Sequence, residues 1–330
     1  MRVLVTGGAG YIGSVAVAAL RARGDDVSVL DNNWRGHREA VPPDVPFYNV
    51  DLRAPHLVAD AVRAADPDAV LHFAAATLVP ESVREPILYY AVNVGGTINV
   101  LRAMLDAGID RVVFSSTAAV YGSPTPADIP ILEDIPKTPI NPYGHSKLVV
   151  ETMLEAAEAA HGLHWAALRY FNVAGATDEL GEDHDPETHV IPVALQVALG
   201  QRDAFGIYGT DYPTPDGTAV RDYVHVIDLV DAHLRALDLL DEPLGPMNLG
   251  TRDGVSVRQI VEAVERVTGK PLPVRYEPRR EGDPPALVAD SSRAREVLGW
   301  EPNHSTVEEM VGSAWSWFKR HPLGYDGIDA

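Results

Sequence analysis

Cysteine is absent from the 330 residues, which excludes disulfides, thiolate zinc sites, iron–sulfur clusters and a cysteine nucleophile. Long hydrophobic runs are missing too. Each apolar stretch falls far short of the roughly 20 residues that cross a bilayer, which argues against a membrane span. The chain opens on a strand pattern at Arg2–Thr6, which leaves no room for an export signal, so a cytoplasmic enzyme is expected. Positive charge is scarce: Lys plus Arg number 27 against 47 Asp plus Glu, for a net charge of -20. Such a surface repels phosphate backbones and anionic lipid, so neither nucleic acid nor a membrane is an expected partner. An anionic substrate needs arginines set locally against that field. With 46% hydrophobic and 22% charged residues, the composition is that of an ordered globular protein, and the length suffices for two lobes.

Short apolar runs alternate with amphipathic stretches in the first half. Val3–Val5, Val27–Leu30, Ala69–Phe73, Arg111–Ser115 and Trp165–Tyr170 read as buried strands. Between the first two, Ile12, Val15, Ala16, Ala19 and Leu20 share one helical face, and Gly24 follows as a stop. A helix is expected from about Gly144 to His161. Strands that are apolar almost throughout, with helices between them, indicate a parallel sheet covered on both faces. From about Asn172 to Pro215 the chain is rich in Gly, Pro and Asp, interrupted by a helical stretch at Val190–Leu199. Helical periods return at Val226–Leu240, Ser256–Thr268 and about Ser305–Lys319.

Thr6–Gly13 joins the first strand to the first helix and carries Gly7, Gly10 and Gly13 at GxxGxxG spacing. That spacing permits a tight turn, a close approach to a pyrophosphate and close packing of helix on strand, with the helix N-terminus facing the phosphates. Asp31 ends the second strand, where a carboxylate takes both hydroxyls of an adenosine ribose and repels a 2′-phosphate. The expected cofactor is therefore NAD. Arg35 is the one opposing residue, since an arginine can hold a 2′-phosphate. Asp51-Leu52 follows the third strand beside the adenine, and the small residues of Phe73-Ala74-Ala75-Ala76 let a cofactor lie close to the backbone. The expected architecture is α/β: a Rossmann-like, doubly wound parallel sheet over 1–171 that binds NAD, and a smaller mixed α/β substrate lobe over 172–330. Part of about 219–248 is expected to return to the large lobe.

Tyr143 and Lys147 stand at i and i+4 near the start of a helix, on one face. A phenol ionises near pH 10 in water, and a neighbouring cation together with oxidised nicotinamide is expected to lower that value. Such a tyrosine can take a proton from a sugar hydroxyl. Ser115-Ser116-Thr117 ends the fifth strand and places hydroxyls at the carboxyl edge of the sheet, where sites lie in this architecture.

These motifs resemble those of the extended short-chain dehydrogenase/reductase family and, within it, the UDP-sugar 4-epimerases. The resemblance covers nearly the whole chain: Thr6–Gly13, His72–Ala75, Ser115–Gly122, Asn141–Lys147, Arg169–Ala176, Gly181–Pro192, Tyr212–Val226 and Arg279–Asp283. It implies Tyr143 as acid/base, Lys147 on the nicotinamide ribose, and Thr117 on the reacting hydroxyl. Cofactor contacts are implied for Gly7, Gly10, Tyr11, Ile12, Gly13, Asp31, Asn32, Asp51 and Leu52. They extend to Phe73, Ala74, Ala75, Asn93, Ser115 and Tyr170. On the substrate side, Asn172, Arg221 and Arg280 meet the diphosphate, Asp283 the uridine ribose, and Gly206-Ile207-Tyr208 the uracil. His189 and Val190 lie near the substrate, and Leu287 beside the C2′ substituent of the hexose.

The implied reaction is interconversion of UDP-galactose and UDP-glucose, extending to their N-acetyl counterparts, in a homodimer paired through helices bearing Leu148, Met153, Leu154 and Ala157. A 4-epimerase for UDP-pentoses or UDP-hexuronates stays open. A nucleotide-sugar 4,6-dehydratase is disfavoured, because Ala118 and Ala119 stand where such enzymes carry Asp-Glu. Departures from the family pattern fall at Thr77, at Asn33-Trp34-Arg35 and at His189. Gly181–His189 has the composition of a metal site but no regular helical ligand spacing. The family motif accounts for it as a substrate-covering loop, so no metal is expected.

Overall fold

Apolar residues in the N-terminal strands alternate between two cores, as period-2 side chains must when both faces of a sheet are covered. Val3, Val5, Val29, Val113 and Leu168 face one core, against helices Tyr11–Arg23 and Val226–Asp238. Leu4, Leu30, Val112, Phe114 and Ala167 face the other, against helices Pro55–Ala65, Gly96–Asp106 and Pro142–His161. The computed structural model describes residues 1–280 and 283–327; Glu281 and Gly282 of the Arg279–Asp283 motif lie outside them.

The first six strands are β1 (Arg2–Thr6), β2 (Asp26–Asp31), β3 (Phe47–Asn49), β4 (Ala69–His72), β5 (Arg111–Thr117) and β6 (His164–Tyr170). Then come β7 (Asn172–Ala174), β8 (Phe205–Tyr208), β9 (Val220–Arg221), β10 (Tyr223–His225) and β11 (Gly245–Leu249). The last three are β12 (Val255–Ser256), β13 (Val274–Glu277) and β14 (Ala286–Leu287). The main sheet has seven strands in the order β11-β6-β5-β4-β1-β2-β3, and every pair in it is parallel. This is the doubly wound α/β sheet expected from the sequence. The order reverses between β1 and β4, and a crevice opens beyond their carboxyl ends. The second half of the chain contributes β11 to this sheet and otherwise forms short pairs, β10 with β7, β13 with β8, and β9 between β12 and β14. A third core gathers Ile191, Leu195, Ile260, Val264, Met310, Trp317 and Phe318.

Local chemistry sets the element ends. The helix expected from Gly144 begins at Pro142, because Asn141 accepts a hydrogen bond from the Gly144 N–H at 2.8 Å and Pro142 needs no donor at the first position. Ser256 caps helix Val257–Thr268, and Gly269, at φ 68°, closes it in a left-handed conformation.

Candidate active site

The three fingerprint glycines answer to different constraints. Gly7 has a φ of +73°, and a Cβ there would lie 2.5 Å from the Ala74 nitrogen; at Gly13 it would lie 2.0 Å from the Gly7 oxygen. Neither position admits a side chain. A Cβ on Gly10 would meet only the Gly7 oxygen, at 3.4 Å. All three glycines line a cavity of about 600 Å³, and the room that Gly10 leaves there suits a ligand. Asp31 is buried, and its two oxygens accept from the Ala9 N–H at 3.0 Å and the Asn33 N–H at 2.8 Å. Burial pushes its carboxyl up, and those N–H groups oppose the shift. The Arg35 guanidinium donates to Glu81 at 2.8 Å and to the Asp185 carbonyl at 3.1 Å. It is engaged by a carboxylate, and the case for a 2′-phosphate there falls away. Asp51 sits beside Asn32 at 3.1 Å, and the Arg53 guanidinium holds its carboxyl down at about 2.

Helix Pro142–His161 carries the candidate chemistry on its buried face. Lys147 is buried, its ammonium donating to the Ser115 carbonyl at 2.7 Å above the Phe114 ring. Burial lowers the amine to about 7, and the Glu151 carboxylate opposes that. The Tyr143 phenol is pushed up by burial, with the Thr117 hydroxyl bond as the opposing influence. Lys147 is not among the groups that shift this phenol, its ammonium being engaged by the Ser115 carbonyl; the lowering expected from the sequence included the charge of oxidised nicotinamide. Ser115 shares a hydrogen bond with the Tyr170 hydroxyl. Asn93 stands behind the cavity wall rather than in it. Its side chain bridges Ala76, on both N–H and carbonyl, to the Ser146 hydroxyl at 2.8–3.0 Å.

The same cavity is lined by Tyr11, Ile12, Leu52, Phe73, Ala74, Ala75 and Thr77 at one end, and by Asn172, His189, Arg221, Arg280, Asp283 and Leu287 at the other. Arg221 and Asp283 form an ion pair with each other. Asn172 donates to the Asp222 carbonyl at 2.9 Å. Gly206, Ile207 and Tyr208 do not reach this cavity. They run along β8 beside β13, and Tyr208 is linked to it through Arg280, whose guanidinium lies 3.9 Å from the ring centroid. Val190 opens on a smaller neighbouring cavity of about 110 Å³, shared with Asn172 and His189.

A family model described as the NAD dependent epimerase/dehydratase family matches residues 3–250. The chain belongs to this family. It is 51% identical over 330 residues to a UDP-glucose 4-epimerase of Lactobacillus helveticus, covering 99% of each chain. A crystal structure of a UDP-glucose 4-epimerase superposes with a TM-score of 0.95 at 45% identity, covering 98% of this chain and 99% of that one. A UDP-glucose 4-epimerase from Brucella ovis in complex with NAD gives a TM-score of 0.92 at 44% identity, covering 96% and 98%.

The cofactor of the family is NAD, and the residues here fit it. Gly10 leaves a cradle, Asp31 offers a carboxylate fixed by two N–H groups, and Arg35 is engaged elsewhere. Two features of this epimerase/dehydratase site escaped the sequence reading. One is Glu151, which accepts from Ser116 and pairs with Arg169, both partners buried. Its position four residues after Lys147 places it on the same helical face, a signal present in the sequence. The other is that Glu182 and His184 themselves pack into the cavity wall; the sequence offered the 181–189 segment as a substrate-covering loop without naming these two as residues that reach the cavity.

Proposed function

We propose that the protein interconverts UDP-galactose and UDP-glucose by oxidation and re-reduction at C4′. The observation that supports this most strongly is one cavity shared by the glycine fingerprint, the Tyr143–Thr117–Lys147 group and the Arg221–Arg280–Asp283 cluster. Oxidised NAD, when bound, supplies a hydride acceptor and donor and a positive charge that favours phenolate. Tyr143 takes the proton from the C4′ hydroxyl and later returns it. Thr117 orients that hydroxyl, and Lys147 holds a positive charge beneath the site. Arg221 and Arg280 neutralise the diphosphate, so the sugar can turn and present its other face while the nucleotide stays anchored. Asp283 exchanges its arginine partner for the uridine ribose. Residues 1–171 hold the cofactor and supply Thr117 and Tyr143 to the sugar, and 172–330 hold the nucleotide sugar, with part of about 219–248 returning to the large lobe.

Leu287 pairs in register with Arg221 and lines the cavity. Its bulk is smaller than that of a tyrosine, so the N-acetylhexosamine pair is also turned over. Leu287→Tyr is expected to abolish that second activity selectively; equal loss of both would remove Leu287 as the determinant.

The working assembly is a homodimer in the cytoplasm. Leu154 belongs to the interior and takes no part in pairing. Val83 and Ile87, 63% and 78% exposed, are the apolar residues offered near the same helix. Light scattering should give twice the chain mass at micromolar concentration, and a monomer would count against the dimer. For the reaction itself, Tyr143→Phe should cut UDP-galactose turnover by about 10²–10⁴-fold while UDP binding survives. Near-normal turnover in that variant would remove Tyr143 from its role.

A further inference from the structure

The loop between Gly181 and Val190 brings together Glu182, His184, Glu187 and His189. One ligand-capable atom from each lies within 4.8 Å of all the others. Both carboxylates are buried, with side-chain exposures of 5% and 3%. Among the described residues, no lysine or arginine pairs with either of them; their ionic neighbours are the two imidazoles. His184 Nδ1 lies 3.2 Å from a Glu182 oxygen and 3.7 Å from a Glu187 oxygen, yet it is buried without a hydrogen bond. It sits at contact distance from two acceptors and is aimed properly at neither, as a nitrogen converging on a shared centre would be. One Glu187 oxygen already accepts from the Thr188 and His189 N–H groups at 2.7 Å, which leaves the other oxygen turned towards His184.

We propose that Glu182, His184, Glu187 and His189 bind one divalent transition-metal ion of the zinc class. Two imidazoles and two carboxylates form a borderline donor set. It suits zinc, cobalt or nickel better than magnesium or calcium, which favour oxygen alone. Ligand atoms about 2.0–2.2 Å from a tetrahedral ion lie roughly 3.4 Å from one another, so the cluster closes on an ion by modest side-chain rotation. A dication takes over the charge that protons on the two imidazoles otherwise set against these carboxylates.

The position gives the ion a task. Around it the loop is tied to the first half of the chain by Arg35 on the Asp185 carbonyl, at 3.1 Å, and by His37 on the Asp183 carbonyl, at 3.2 Å. The C-terminal segment holds it through the Tyr325 N–H on Asp183, at 2.9 Å. Glu182, His184 and His189 form part of the cavity wall. The metal therefore clips the loop into the shape that closes this wall, and it acts as a structural ion with no part in the proton transfer. The assignment is independent of the sugar that the cavity accepts.

The test is zinc binding by the whole protein. After chelator treatment and gel filtration, one equivalent of Zn²⁺ should be retained per chain, with affinity measured against a chromophoric chelator. His184→Ala and Glu187→Gln should each weaken binding at least tenfold, and His161→Ala, on a distant exposed helix end, should leave it unchanged. Limited proteolysis adds a reading that needs no variant: zinc should slow cleavage within 181–189. If His184→Ala fails to fold, Glu182→Gln must show the same loss. Retention well below one equivalent, or equal affinity in wild type and ligand variants, overturns the proposal and leaves an ion-paired loop.

Discussion

Gly10 and Gly13 look equivalent in the fingerprint but are held by different forces. Gly13 is required by the protein's own packing, since its Cβ would collide with the Gly7 carbonyl. Gly10 is required by whatever fills the cavity. Gly10→Ala should therefore leave the melting temperature of the cofactor-free protein nearly unchanged while sharply reducing the NAD retained on purification. Gly13→Ala should depress folding itself. Equal stability losses in both would contradict the distinction. The sequence reveals the glycine spacing and Asp31, because both are local. It does not reveal that Arg35 is neutralised by Glu81, 46 residues away, or that Lys147 turns its ammonium to the Ser115 carbonyl. Those outcomes depend on side-chain directions that spacing does not encode.

Helix Pro142–His161 works as an element through residues spaced by four. Tyr143, Lys147 and Glu151 lie along one face, and Glu151 ties that face to β5 through Ser116 and to β6 through Arg169. Breaking a buried ion pair from one side strands a charge, at a cost of about 3–5 kcal/mol. Glu151→Ala should thus lower urea stability by about that amount. It should also lower kcat more than it raises KM, because the helix register that aims Tyr143 is loosened. A variant as stable and active as the wild type would show that the pair is dispensable. β1, β2, β4, β5, β6 and the helices at Tyr11–Arg23, Pro142–His161, Val190–Ala198, Val226–Asp238, Val257–Thr268 and Val307–Arg320 were legible because hydrophobic period and caps are written locally. The two- and three-residue strands β7, β9, β12 and β14 were not, since so short a run has no period to read. The Gly206–Tyr208 segment shows a related limit. It forms the strand-like element expected, but its register on β13 keeps it out of the main cavity.

At the scale of the whole molecule, no helix among the described residues is long and apolar enough to cross a membrane. Its buried histidines also make its stability sensitive to acid. Burial lowers His72 to about 3, with the Lys147 ammonium adding to the effect, and lowers His225 and His233 to about 4. Between pH 6.5 and about 4 the unfolded chain binds protons at these sites and the folded chain does not, so stability falls as pH falls through that window. His233 is fully buried, with Nδ1 on the Leu229 carbonyl at 2.9 Å. Its share reaches at most about 3 kcal/mol. Urea titrations at pH 6.5 and pH 5 should show this loss in the wild type and a smaller one in His233→Leu. The same slope in both would exclude His233 as a source.

The central claim is a redox cycle that closes within one site, with NAD held throughout. It predicts that purified protein, given UDP-galactose and no added NAD, converts it catalytically to an equilibrium mixture with UDP-glucose. No NADH should accumulate, and denaturing the protein should release NAD. Absence of UDP-glucose after addition of NAD as well, or product formed only in step with released NADH, would contradict it.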